Sequence, residues 1–249
     1  MSNEKCQLAN LAIELTRRCN LRCEHCLRGN AQKRDINTYT IDLLFKQISY
    51  VNILTLTGGE PSLCPDLIKQ VIDSCTYYNV VVDNFYISTN GVIHEDYSRF
   101  MTQIIQLWCM CSDNEISSVH ISNDPYHTDA ASANPVNFGN HPLRAFRFCE
   151  MPKQPEYKFH PQSIIKQGRA DKIPGAREIV LDYIQRPEDY SSIEGLVYIN
   201  VHGDIIEGCD WSYTNQPKHR FGNLYRIGLS EALERRILEN KQRYNSFLV

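Results

Sequence analysis

Cys19-Asn20-Leu21-Arg22-Cys23-Glu24-His25-Cys26 places three thiols four and three positions apart in one short stretch. The stretch opens directly after an apolar, strand-like run from Leu8 to Leu15. Three soft ligands in a tight loop suit an iron–sulfur cluster in which one iron keeps no protein ligand. Two plainer readings compete. Positions 19, 23 and 26 would share one face of a helix, as a core stripe does, but Arg17, Arg18, Arg22, Glu24 and Arg28 surround them. Structural zinc normally takes four ligands, so His25 or a distant cysteine would have to supply the fourth.

Working outward, Ile41, Leu44, Phe45 and Ile48 recur at the spacing of an amphipathic helix, with Thr40 as its expected N-cap. Val51 to Thr57 reads as a buried strand that closes on Gly58-Gly59-Glu60-Pro61. A helix from about Pro65 follows, with Leu67, Ile68, Val71, Ile72 and Cys75 on one face. Val80 to Ser88 is the next strand, closed by Thr89-Asn90-Gly91. Tyr97, Phe100, Met101, Ile104, Ile105 and Trp108 mark a third helix, and Ile116 to Ser122 a further strand ending at Asn123-Asp124-Pro125. Strands that alternate with helices argue for a parallel sheet of βαβ units. In such sheets functional groups gather at the carboxyl ends of the strands, where these motifs sit.

Beyond Asp129 the pattern loosens. Residues 130–140 read as a long loop, 138–151 as a helix, and Tyr157 to His160 as a short strand leading into Gln167-Gly168-Arg169-Ala170. Leu196 to His202 and Ile205 to Glu207 flank Gly203-Asp204 as a hairpin, and a charged helix is expected from about Ser230 to Asn240.

A chain of 249 residues suffices for one large α/β domain or a medium domain with a small appendage. The division expected is 1–185 for the main unit and 186–249 for an extension. A net charge of −3 gives no global footprint for nucleic acid or membrane. The longest charge-free stretches, Gln47 to Gly59 and Phe100 to Ser112, have 13 residues each, too few to span a bilayer. The N-terminus lacks a signal-peptide layout, so the expected location is cytoplasmic. Ten cysteines then read as three ligands and seven others, most of them small buried or half-buried hydrophobes, rather than as a disulfide framework.

The cysteine loop, followed by Gly58-Gly59-Glu60-Pro61 at the next strand end, resembles the radical S-adenosylmethionine enzymes from Asn10 to about Arg169. The resemblance implies an α/β fold, a partial (β/α)6 TIM-like barrel with a short C-terminal hairpin-plus-helix extension. It implies that Cys19, Cys23 and Cys26 ligate three irons of one 4Fe-4S cluster, and that the fourth iron takes the amino and carboxylate groups of S-adenosylmethionine. One electron then cleaves the sulfonium, and the 5′-deoxyadenosyl radical released abstracts hydrogen from a substrate.

By the same resemblance Gly58, Gly59 and Glu60 form the methionine-binding segment. His25 stands where an aromatic residue near the adenine is usual, though Tyr or Phe is more frequent there. Ser88, Asn90, Ser122 and Asn123 are strand-end polar groups of the kind that reach the ribose hydroxyls and the methionine carboxylate; turn chemistry accounts equally for Asn-Asp-Pro. Asp124 and His127 are the catalytic candidates, and Arg169, in a Gly-Arg-Ala element, pairs with the cofactor carboxylate. Tyr198 to Leu224 resembles the start of a SPASM-type, cysteine-rich extension of peptide-modifying members. Here it holds Cys209 alone, so no auxiliary cluster is expected.

The substrate implied is a peptide or protein side chain, with a nucleotide or small metabolite as the alternative. Two other classes remain open: a non-catalytic sensor of redox state or S-adenosylmethionine, and a zinc-stabilised interaction module. From Arg17 to Arg34 six basic residues face one acidic Glu24. Such charge favours a reduced cluster and attracts an acidic electron donor such as flavodoxin or ferredoxin, with Arg18 and Arg28 as the expected contacts.

Overall fold

The computed structural model describes residues 5–92, 97–122, 127, 143, 146, 149–150, 164–179, 183–188 and 192–247. Strands β1 (Cys6–Thr16), β2 (Ile48–Gly58), β3 (Val81–Thr89), β4 (Ser118–Ile121) and β5 (Cys149–Glu150) pair in sequence order and in parallel. Helices α1 (Thr38–Phe45), α2 (Pro65–Tyr78) and α3 (Tyr97–Met110) make the first three crossovers. On the other flank of β1 comes β6 (Ile193–Ile199), also parallel, then β7 (Asp204–Glu207) and β8 (Arg220–Asn223), both antiparallel. The result is an open sheet of eight strands in the order β5-β4-β3-β2-β1-β6-β7-β8, an α/β partial barrel. No described helix is long and apolar enough to cross a membrane.

Strand periodicity decides which face is covered. Along β2, Val51, Leu54 and Leu56 are buried while Thr55 and Thr57 are only half-buried. The alternate residues of a strand point to opposite faces, so one face of the sheet is apolar and the other polar. Helices α1, α2 and α3 cover the apolar face with Ile41, Leu44, Ile68, Val71, Phe100 and Ile104. The opposite face holds a smaller cluster of Ala12, Tyr198, Ile206 and Trp211. The remaining width of that face is left for a cavity.

Four expectations are corrected. Helix α1 is capped by Asn37, not Thr40: the Asn37 side chain accepts from the Tyr39 N–H at 2.8 Å. Thr40 is buried within the helix, where its hydroxyl meets that of Tyr225. Ile48 belongs to β2 rather than to the helix stripe, because the chain turns at Lys46-Gln47 and the Gln47 N–H closes on Leu44. Of the helix expected over 138–151, Cys149–Glu150 are a strand that pairs with Val119 and His120. The expected strand at Tyr157 to His160 lies outside the described residues. The C-terminal helix is longer than expected, Leu229–Phe247.

The hairpin expected around Gly203-Asp204 is present. Asn200 Oδ1 accepts from the N–H groups of His202 and Asp204, and Gly203 takes a φ of +73° that favours glycine. Its first strand, β6, pairs along β1, with Leu11 opposite Val197 and Ile13 opposite Ile199. The segment after residue 186 therefore builds into the same sheet as β1, the strand that leads into the cysteine loop.

A buried polar network fastens that junction. Arg17 donates to Glu14 at 2.5 Å, to Gln32 at 3.2 Å and to Gln216 at 2.5 Å, and the Tyr198 hydroxyl donates to Glu14 at 3.1 Å. Glu14 is 0% exposed and Arg17 4%. Removing one member of a buried pair strands the other charge. Arg17→Met should therefore lower stability in urea by about 3–5 kcal/mol, with much of it regained in Glu14→Leu/Arg17→Met. A single variant as stable as the parent would show that Glu14 finds other compensation.

Candidate cofactor site

The carboxyl ends of β1, β2, β3 and β4 open on one cavity of about 330 Å³. Its wall includes all three loop thiols, Cys19, Cys23 and Cys26, together with Gly58, Gly59 and Glu60. A volume of this order lies at the lower end of the range for small-molecule sites. Ser88, Asn90, Ser122, His25, His127 and Arg169 also line it. Asn123 and Asp124 lie outside the described residues.

The glycines have a local reason. A Cβ on Gly58 would collide with the Thr16 carbonyl, and one on Gly59 with that of Arg18. The backbone of β2 must come this close because Gly59 N–H donates to Thr16 O at 2.7 Å and Glu60 N–H to Arg18 O at 2.8 Å. The end of β2 is thereby locked to the first residues of the cysteine loop.

Glu60 is 1% exposed, and its carboxylate accepts from Ser62 N–H (3.0 Å), the Thr89 hydroxyl (2.6 Å) and Asn90 N–H (2.8 Å). Its side chain thus ties β2 to β3 at the cavity wall. Asn90 continues the connection: its Nδ2 donates to Asn20 Oδ1 at 2.8 Å and lies 3.9 Å from Cys19 Sγ.

Arg169 holds the loop from the other side. Its Nε donates to Cys23 O at 2.8 Å, its Nη1 to Gly29 O at 2.6 Å, and its backbone N–H to Cys26 O at 3.0 Å. The preceding Gly168 has a φ of +58°, and a Cβ there would strike the Leu27 carbonyl. The Gly-Arg-Ala element is thus a clamp on the cysteine loop, and two of the guanidinium's donor nitrogens are committed to the protein.

Two imidazoles converge on the same point. The rings of His25 and His127 meet edge to face at 4.7 Å. One ligand atom from each lies, with the Cys23 sulfur, in a group whose members are all within 4.8 Å of one another. Among the lining residues that sequence reasoning did not single out for this site are Thr57, Tyr86, Asp210 and Tyr213. The first two follow from the period-two alternation of β2 and β3. The others arrive by folding of the distant C-terminal segment. Cys209 lines the same wall, and burial pushes its thiol to about 11.

The basic stretch is not one surface. Arg17 is buried, Arg18 pairs with Asp35 at 2.8 Å, and Arg28 lies 5.0 Å over the Tyr198 ring while donating to Trp211 O. Arg28 as a docking contact is therefore corrected: its guanidinium is turned into the protein. Arg22, Lys33 and Arg34 are the exposed members.

The donor set fits an iron–sulfur cluster. The three thiols are free, Cys23 is buried and the other two half-buried. Burial, then the charges of Glu60, Cys26 and Cys23, pushes the Cys19 thiol up to about 11. Holding Cys19 as a thiolate beside the other two sulfurs therefore calls for a compensating cation, which an iron–sulfur core supplies. Leu21 N–H, 3.4 Å from Cys19 Sγ, is already placed as a donor to sulfur.

Residues 13–106 match the family model described as the Radical SAM superfamily. Over 70 residues the chain is 39% identical to the putative protein YfkA of Bacillus subtilis, covering 26% of this chain and 19% of that one. It is 29% identical over 93 residues to a GTP 3′,8-cyclase of Clostridium botulinum (34% and 28%). It is 37% identical over 89 residues to the mycofactocin maturase MftC of Mycobacterium ulcerans (33% and 22%). The matches span less than a third of the length of these curated relatives.

Arg169→Gln removes three side-chain hydrogen bonds to the loop, those to Cys23 O, Gly29 O and Asn30 Oδ1. At about 1 kcal/mol each, their loss should speed modification of the apoprotein's cysteines by a thiol reagent on the order of a hundredfold. An unchanged rate, with unchanged circular dichroism, would mean that the clamp does not restrain the loop.

Proposed function

We propose that this chain, which belongs to the radical SAM superfamily, uses one 4Fe-4S cluster and S-adenosylmethionine to abstract hydrogen from a peptide or protein side chain. The observation that carries the reading is the meeting of the three loop thiols, the Gly58-Gly59 strand end and strand-end hydroxyls around one cavity. When bound, the cluster and S-adenosylmethionine supply one-electron cleavage of the sulfonium to methionine and a 5′-deoxyadenosyl radical.

The chain's own residues do the rest. Cys19, Cys23 and Cys26 hold the cluster, and Arg169 and Asn90 keep their loop in shape. Backbone carbonyls of the Gly58-Gly59 end accept from the methionine ammonium, since the Glu60 carboxylate already serves three protein donors. Ser88 and Ser122 offer hydroxyls to the ribose, and His25 offers an imidazole face to the adenine. The cavity walls exclude water from the radical step. His127 stands beside His25 as the candidate substrate-side group, with Asp124 and Asn123 next to it in sequence.

The peptide reading is supported by the mycofactocin maturase among the relatives and by the hairpin that follows the barrel strands. The alternative, a nucleotide substrate, is supported by the GTP 3′,8-cyclase. An acidic donor such as flavodoxin or ferredoxin would meet the exposed Arg22, Lys33 and Arg34, consistent with a cytoplasmic location.

Anaerobic reconstitution tests the whole reading. A brown protein that releases 5′-deoxyadenosine on reduction is expected, and Cys23→Ala should give neither colour nor product. A colourless, zinc-loaded protein would overturn the assignment, and a brown protein inert toward S-adenosylmethionine would favour the sensor. Stimulation of 5′-deoxyadenosine release by ribonucleoside triphosphates, and not by peptides, would reverse the substrate class.

A further inference from the structure

We infer that the Tyr213 hydroxyl donates a hydrogen bond to sulfur of the iron–sulfur cluster on its Cys26 side, and thereby sets how readily the cluster is reduced. The inference rests on the cluster assignment proposed above and deepens it. Tyr213 comes from the C-terminal segment, far in sequence from the cysteine loop, yet it lines the same cavity as Cys26. Its backbone is tied to Arg28, two residues beyond Cys26.

Tyr213 is 6% exposed, and its hydroxyl oxygen is buried with no hydrogen-bond partner among the described residues. A buried hydroxyl without an acceptor is costly, so its partner is to be sought in whatever fills the cavity. Among the described residues no acceptor pairs with it. Arg17 and Arg28, which flank the phenol, can only donate. The Glu14 carboxylate is occupied, Oε1 by Arg17 and Oε2 by the Tyr198 hydroxyl.

The ring is also held in place. Its backbone N–H donates to Arg28 O at 3.1 Å, and the Arg28 guanidinium returns a bond to Trp211 O at 2.9 Å. Arg17 covers the ring face at 4.4 Å from its centroid. This reciprocal pair of bonds fixes Tyr213 two residues along from Cys26, with the hydroxyl already desolvated. Cluster sulfides and the Cys26 thiolate are anionic acceptors of the required kind. Hydrogen bonds to cluster sulfur stabilise the more negative, reduced state. Tyr213 is in this sense a positioning residue that acts through the cluster and not on substrate.

The test is a redox titration of the reconstituted protein without S-adenosylmethionine or substrate. Tyr213→Phe should keep its iron and sulfide content, while the reduced-to-oxidised ratio at a fixed poise falls roughly tenfold, which is 59 mV for a one-electron couple. In D2O, the deuteron coupled to the reduced cluster in the parent should disappear from the electron–nuclear double resonance spectrum. An unchanged ratio would overturn the inference. Should Tyr213→Phe load iron poorly, a fluorotyrosine placed at 213 alone decides: its more acidic hydroxyl should raise the ratio, and no rise overturns the inference. If the parent takes up no four-iron cluster, the function proposed above fails, and this inference with it. A parent that loads normally with an insensitive ratio fails the inference alone.

Discussion

Where β2 and β3 end, one side chain and one backbone group join three elements. The Glu60 carboxylate accepts from Ser62, Thr89 and Asn90, while its N–H donates to Arg18 at the start of the cysteine loop. A carboxylate at 1% exposure is tolerable only because its oxygens are so fully hydrogen-bonded. Everything above the sheet inherits its position from this junction. The Gly58-Gly59 end cannot shift without breaking the bonds to Thr16 and Arg18, and Asn90 carries the same constraint onward to Asn20. The cysteine loop is short of regular secondary structure, yet its two sides are fixed by β3 and by the Arg169 clamp. Rigid supporting groups of this kind keep ligating side chains near their working geometry.

The second constraint runs from the C-terminal segment. Glu14 and Arg17 sit at the base of the cysteine loop and are closed off from water by Tyr198, Tyr213 and Gln216. A buried charge pair is weak as a source of stability but strong as a specifier, because a displaced partner leaves a charge stranded. The network therefore couples the placement of β6 and the segment after β7 to the placement of the loop. This is why a strand assigned from sequence to an extension lies beside β1, and why residues near 210 reach the cavity.

Much of this was legible in the sequence. The period-two runs of β1 to β4 and the 3.6-residue stripes of α2 and α3 gave strands and helices within three residues of those observed, the start of β2 being the furthest off. The hairpin at Gly203 followed from turn chemistry. What failed is equally physical. Asn37 outcompeted Thr40 as a cap because the helix is only two turns long and ends before Ile48. The loop glycines and Arg169 were visible as motifs, but their partners were not, since contacts with Thr16, Leu27 and Gly29 depend on chain crossings that no local pattern records. The basic count from Arg17 to Arg34 likewise said nothing about direction. Arg17 and Arg28 point inward because Glu14, Tyr198 and Trp211 wait for them.

The division of the cavity wall bears on substrate choice. The matched span, residues 13–106, contains the three thiols, the Gly58-Gly59 end, Glu60, Ser88 and Asn90. These are the groups proposed above to serve the cluster and its ligand, and relatives named for activities as different as cyclising GTP and maturing mycofactocin align over comparable stretches. His127, Cys209 and Asp210, none of them given a cofactor role above, enter the same cavity from outside that span. Shared chemistry and separate selectivity are expected to part along this line, because radical initiation needs the same cofactor geometry whatever is attacked, whereas recognition needs contacts particular to one substrate. Residues after 106 are accordingly where differences between this chain and its relatives carry the most meaning.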